Sequence, residues 1–239
     1  MSGKLLSVNV GSPREIEWLG RREATSIWKS PVEGRVPVRG VNVAGDDQAD
    51  REFHGGPDKA VYAYAHEDTV WWERELGREL EHGNFGENLT VSGVDVTGAV
   101  VGERWEIGSA VLEVAQPRIP CWKLGARMDD ASFPVHFAAA GRPGAYLRIV
   151  EEGEIGAGDE VRVVGKPEHG LTVGDVARIY HQERGRASTL LDAPELCSDW
   201  HDWALRRTGD PVGRVGRPRR EEVRKMSDSC IRRASGRAR

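Results

Sequence analysis

Glycine-bearing turns cut the first 165 residues into short runs of β-forming side chains. That punctuation limits the fold more than any other feature. Residues 5–10 end at Gly11-Ser12-Pro13, and residues 36–43 end at Gly45-Asp46-Asp47. Further runs at 60–64, 100–107, 111–115, 145–150 and 160–164 are parted by turns such as Gly108-Ser109 and Gly156-Ala157-Gly158-Asp159. Glycine makes up 29 of 239 residues, about 12 % against an average of about 7 %. Many short strands at this spacing predict a barrel or a sandwich, a mostly β (α+β) fold. Two helices interrupt the strands. Val70, Trp71, Glu75 and Leu76 follow Asp68 at helical spacing, and residues 133–140 form the second, shorter one.

After Lys166-Pro167 the pattern changes. Thr172 with Asp175 resembles a capping box, and Val173, Val176, Ala177 and Tyr180 then share one helical face. Residues 187–191 and 194–207 read as two more helices, with Pro194 in the first turn of the last. The organisation predicted is a β-barrel-like domain at 1–166, a three-helix unit at 170–208 and a basic, disordered tail at 209–239.

A chain of 239 residues is long enough to close a core without metals or disulfides. It contains no apolar run near the roughly 18 residues of a spanning helix, so no membrane partner is expected. Its first ten residues read as a strand rather than a signal peptide. Three cysteines, at 121, 197 and 230, make no paired framework, which points to a reduced, cytoplasmic location. The net charge of −4 conceals an asymmetry. Residues 206–239 hold 12 Lys and Arg against 4 Asp and Glu, a surplus of +8, which leaves −12 on the rest. The tail offers phosphate neutralisation, but it lacks interleaved aromatics and any nucleic-acid motif. A solvated end is the preferred reading, with docking of an acidic redox partner the alternative.

Three segments carry chemistry. In Gln116-Pro117-Arg118-Ile119-Pro120-Cys121-Trp122-Lys123-Leu124, two prolines stiffen a loop around a thiol. The cations Arg118 and Lys123 favour its thiolate, which is a nucleophile and a soft metal ligand. The competing reading is a buried cysteine acting as a small hydrophobe. In Phe53-His54-Gly55-Gly56-Pro57-Asp58-Lys59-Ala60, paired glycines permit close approach of an anion to backbone N–H groups, and Lys59 adds a charge. The competing reading is a tight turn. In Asn84-Phe85-Gly86-Glu87-Asn88-Leu89, Glu87 and Asn88 offer polar contacts to a heterocycle, or Asn88 bonds only to backbone. Trp71, Trp72, Trp122, Trp200 and Trp203 read as packing residues, Trp122 being the one placed to line a substrate mouth beside Cys121.

Together, and in this order, the three segments resemble the MOSC domain, the family of molybdenum cofactor sulfurase C-terminal domains. The nearer resemblance is to stand-alone bacterial proteins of the YiiM type, which also carry a C-terminal three-helix unit. It spans about residues 4–207. The resemblance implies a barrel-like fold with inserted helices and a bound molybdenum cofactor, a pterin dithiolene with a phosphate. It implies that Cys121 is the metal ligand and catalytic thiol. His54, Gly55, Gly56, Lys59, Asn88, Arg118 and Lys123 occupy cofactor-binding motif positions. It further implies an oxidoreductase that reduces N-hydroxylated purines or amidoximes to amines. A persulfide carrier using Cys121 and a cofactor carrier without turnover are the alternatives.

Reducing N–OH consumes two electrons. The chain has no cysteine cluster for iron–sulfur and no Gly-rich strand–helix turn for a nicotinamide or flavin. A molybdenum reductase with this sequence would draw its electrons from a separate donor reductase.

Overall fold

The structure is a computed structural model that describes residues 2–47 and 55–208. Its strands are β1 (Ser2–Val10), β2 (Arg14–Trp18), β3 (Arg21–Thr25), β4 (Ser30–Val32), β5 (Arg35–Arg39), β6 (Asn42–Val43), β7 (Val61–Ala65), β8 (Leu89–Ser92), β9 (Arg104–Ile107), β10 (Ala110–Pro117), β11 (Ala145–Glu151), β12 (Gly153–Gly156) and β13 (Glu160–Gly165). Its helices are α1 (His66–Leu76), α2 (Trp122–Met128), α3 (Phe133–Ala140), α4 (Val173–His181) and α5 (Ser198–Thr208), with 3-10 stretches at Pro57–Lys59 and Arg184–Asp192.

Seven strands run in the order β13-β9-β10-β11-β7-β8-β1, and β13 pairs with β1 to close the barrel. Closure leaves no unpaired edge around the ring. Register shifts between Leu5 and Ser7 in β1, and at two places in β10, bend the strands as closure requires. Alternation explains the inside. Trp105 and Ile107 of β9, and Leu112 and Val114 of β10, point inward and are fully buried. They meet Leu5, Val8, Leu89, Val91, Leu147 and Val161 in one core.

Among the described residues the one parallel pair in the ring is β7–β8, and α1 forms the crossover between them. All five residues of β7 are buried, as expected where a helix layer covers a strand. Gly77 ends α1 in the left-handed conformation at φ 64°, where its lack of a Cβ removes the strain. Beneath α1, α2 and α3 lies an aromatic layer of Tyr64, Trp72, Phe85, Phe133 and Phe137. A separate apolar cluster holds α4, the 184–192 stretch and α5, with Tyr180, Leu190, Trp200 and Trp203 at its centre.

Several sequence expectations need correction. The 36–43 run splits at Gly40 (φ 60°) into β5 and β6. Of the 100–107 run only Arg104–Ile107 is strand, and Val100 makes an isolated bridge to Thr172 instead. The middle element of the helical unit is a 3-10 stretch. The last helix starts at Ser198 rather than 194, because a turn closed by Leu196 N–H to the Ala193 carbonyl takes the place of its first turn. The Thr172–Asp175 capping box is complete, each side chain accepting the other's backbone N–H. The hairpin β2–β3 was not foreseen. Its two-residue turn, Leu19-Gly20, has positive φ at both positions, the geometry that matches strand twist. Its sequence gave little warning, since Arg and Glu occupy most positions and only Thr25 is buried. The tail from 209 lies outside the described residues.

Candidate functional site

The chain leaves β10 at Pro117, passes through residues 118–120, and enters α2 directly after Cys121. Cys121 is therefore the residue that caps a helix, in extended conformation (φ −124°, ψ 176°), rather than the middle of a free loop. It is half-buried at the wall of a cavity of about 100 Å³. Lys59, Asn88, Arg118 and Lys123 also line that cavity, so five of the eight residues singled out by sequence converge on one space. His54 lies outside the described residues. Gly55 and Gly56 precede the 57–59 turn and are not among the lining residues.

Each convergent side chain has a fixed anchor. Arg118 is buried, donates from Nη1 to the Phe85 carbonyl, and lies with its guanidinium 5.1 Å from the Tyr62 ring centre. Lys123, also buried, sits on the first turn of α2 with its Nζ 3.2 Å from Glu23 Oε1 of β3. The amide of Asn88 bridges strands. Its Oδ1 accepts from Tyr62 N–H at 3.1 Å, and its Nδ2 donates to the Asn9 carbonyl at 3.2 Å and to Asp46 Oδ2 at 2.9 Å.

Of the two readings of the 84–89 segment, contact with a heterocycle or a turn held by its own bonds, Glu87 follows the second. Its carboxylate accepts from Gly83 N–H (2.6 Å), Phe85 N–H (3.0 Å) and the Thr90 hydroxyl (3.0 Å), so it shapes the 83–90 loop from inside. Burial raises its pKa above the ordinary carboxylate range, with those donors opposing the rise. Trp122 likewise turns away from the cavity. It stacks on Trp18 at 6.5 Å between ring centres, because the hairpin covers α2.

Sequence reasoning missed Lys29, Asp46 and Tyr146, which also line the cavity, beside Tyr62 and the 25–27 segment. Lys29 donates to both carboxylate oxygens of Asp46, and both side chains are buried. Asp46 Oδ1 also accepts Gly11 N–H at 2.8 Å. Burial lowers the Lys29 pKa, and the attraction of Asp46 opposes that shift. Asp46 stood in the sequence as one of two aspartates in a turn, and Lys29 as a lone lysine beside Trp28. No local spacing connects them, only the fold.

The result is a barrel with a pocket at one end, edged by a thiol and walled by four cations (Lys29, Lys59, Arg118, Lys123), with Asp46 and Asp47 opposite in sign. Such a set suits an anionic ligand that also presents a soft centre. Its architecture matches known proteins. The MOSC domain model matches residues 50–162. YflK of Bacillus subtilis, an uncharacterised protein, is 35 % identical over 199 residues, 82 % of this chain and 90 % of that one. The crystal structure of YiiM from Geobacillus stearothermophilus superposes with a TM-score of 0.72 at 31 % identity, covering 86 % of this chain and 98 % of its own. A protein named reductase from Gibberella moniliformis is 28 % identical over 198 residues, 81 % of this chain but 35 % of that longer one. The chain belongs to the MOSC domain family. Lys29 and Asp46 fall before the matched segment, so the amino-terminal strands supply part of the pocket wall.

No helix among the described residues is long and apolar enough to cross a membrane.

Proposed function

We propose that the chain binds the molybdenum cofactor in this pocket and reduces N-hydroxylated compounds to amines. The observation that carries the reading is the convergence of Lys59, Asn88 and the pair Arg118 and Cys121, from three separate segments, on one cavity. The donor set fits the group. A thiol offers one soft ligand, and the cations match a phosphate. Among the described residues no three His, Cys, Asp or Glu side chains gather to hold a bare metal ion. A centre that arrives already held by its own dithiolene needs only one protein ligand, and Cys121 is that ligand in this reading.

When bound, the cofactor supplies a two-electron centre for cleaving the N–O bond. The balance is one N-hydroxylated substrate, two electrons and two protons in, one amine and one water out. The chain's own residues bind and orient. Lys29, Lys59 and Arg118 would hold the phosphate, and Asp46 fixes Lys29 in place and opposes the lowering of its pKa by burial. Asn88 ties Asp46 to the floor. Electrons come from a separate reductase, since the sequence carries no motif for a nicotinamide, flavin or iron–sulfur group.

Molybdenum and pterin analysis of the purified protein tests the binding step. Reduction of an N-hydroxylated base with an artificial donor tests turnover. Cys121→Ser should lower turnover at least about 100-fold, on the scale of losing a group that acts in the transition state, while the melting temperature stays within a few degrees. Cofactor without turnover would favour a carrier. A Cys121 persulfide without molybdenum would favour sulfur transfer.

A further inference from the structure

The helical unit contributes no side chain to the cavity wall among the described residues. Two of its groups nevertheless reach the segments that do. Trp200 of α5, fully buried, donates from Nε1 to Gln116 Oε1 at 2.9 Å. Gln116 is buried at the end of β10 and donates from Nε2 to the Asp58 carbonyl at 3.1 Å. Asp58 is the middle residue of the 57–59 turn, next to Lys59. A second route runs through Arg148 of β11. Its Nη2 donates to the Glu195 carbonyl of the helical unit at 2.7 Å, and its Nε donates to Asp58 Oδ1. Its Nη1 donates to Glu113 Oε1 at 2.9 Å, which fixes the guanidinium to the barrel. Ile119, two residues before Cys121, packs against the apolar cluster of the helical unit.

We propose that the helical unit is a brace for the pocket, and that Trp200 and Gln116 are positioning residues that hold the 57–59 turn so that Lys59 stands at the cavity wall. The inference rests on the reading that this cavity receives an anionic group. One amide uses its acceptor on the helical unit and its donor on the turn, so neither end moves without breaking a buried or half-buried bond. Arg148 repeats the connection through the Asp58 side chain. A turn of three residues has few internal contacts to define its place, and an anion site needs its charges held to a fraction of an ångström. The brace supplies that definition from outside the barrel.

The test uses the full chain free of cofactor, with inorganic pyrophosphate as probe and calorimetric binding at several salt concentrations. Lys59→Ala should weaken binding about tenfold and flatten its salt dependence, because one screened charge is removed. Trp200→Phe, which removes the N–H and keeps most of the apolar bulk, should weaken it about fivefold with the same flattening. The double variant should bind no more weakly than Lys59→Ala, because both changes remove one interaction. Trp203→Phe, in the same aromatic cluster, controls for a general loss of packing: it should lower the melting temperature without changing binding. Should Trp200→Phe not fold, Gln116→Met breaks both bonds of the bridge and carries the same expectation. Wild-type affinity in Trp200→Phe or Gln116→Met overturns the brace and leaves the anion reading standing. So does a double variant whose losses simply add. A wild-type chain that binds no pyrophosphate overturns the anion reading, and the brace with it.

Discussion

The pocket and the helical unit are both buried, and they are built from opposite materials. At the pocket, Lys29, Asp46, Asn88, Arg118 and Lys123 lie beneath the surface, tied to partners on other elements. In the helical unit, Tyr180, Leu190, Trp200 and Trp203 make an apolar, aromatic cluster with ring centres 5.4 to 6.3 Å apart. Apolar packing is non-directional and tolerates small displacements, so it suits a support. Buried charges tolerate neither displacement nor loss of a partner, so they suit a site that must hold one geometry. The two regions meet through the Trp200–Gln116–Asp58 and Glu195–Arg148–Asp58 hydrogen bonds and through Ile119, which packs on the apolar cluster.

The sharpest way to break the contrast is at its most charged point. Asp46→Ala leaves the Lys29 ammonium buried without its carboxylate, and removing one partner of a buried pair costs about 3–5 kcal/mol. Chemical denaturation should show that loss, and, if the proposed function holds, molybdenum and pterin content should fall with it. A variant with wild-type stability would mean that Lys29 escapes to solvent and the pair is no anchor.

Acid should separate the regions next. His181 of α4 has its pKa lowered to about 4 by burial and by Arg184. The unfolded chain takes up that proton near pH 6.5, before the folded chain does. Stability is therefore intact above pH 6.5 and is lost as the pH falls from 6.5 toward 4, by up to about 3 kcal/mol for a shift of this size. Glu87 beside the pocket acts in the opposite sense. Its raised pKa means that the folded chain binds a proton more readily than the unfolded one, so acid favours that region until both are protonated. Hydrogen exchange across this range should show α4 opening before β8. His181→Gln should flatten the acid loss, and an unchanged pH profile would remove His181 as its cause.

The smallest change sharpens the view of the 57–59 turn. Gly56 has φ 97° and ψ 170°, a region open almost only to glycine, and an added Cβ there would meet no atom within 4 Å. Gly56→Ala should therefore act through backbone strain alone, costing about 1–3 kcal/mol. Pocket affinity should fall with it while the helical unit keeps its melting behaviour. Full affinity would mean that the turn accepts another path into the site.

The barrel was legible because its code is local and repeated. Residues such as Trp105 and Ile107, or Leu112 and Val114, alternate inward over short runs, and glycines mark the turns. Thr172 and Asp175 announced a helix start that the structure confirms bond for bond. The three motif segments marked Cys121, Lys59, Arg118, Lys123 and Asn88, and all five line the pocket. The hairpin β2–β3 escaped notice because a solvent-facing ribbon carries little hydrophobic alternation. The role of Glu87 stayed open between two readings because its donors, Gly83 and Phe85, lie within four residues, where no periodicity shows that the carboxylate turns back on its own loop.

By itself, then, the sequence determined the β-rich class, the position of the helical unit and five of the side chains that gather at the pocket, because propensity, turn chemistry and motif order act over a few residues. Only the tertiary structure decided that Lys29 and Asp46 belong to the wall, that Trp122 stacks on the hairpin, and that Trp200 is tied to the 57–59 turn through Gln116. Trp200 and Gln116 stand 84 residues apart, and Gln116 and Asp58 stand 58 apart. Pairings at that range follow from barrel closure and three-dimensional packing, and a linear pattern of side chains does not encode which distant groups closure will bring within 3 Å.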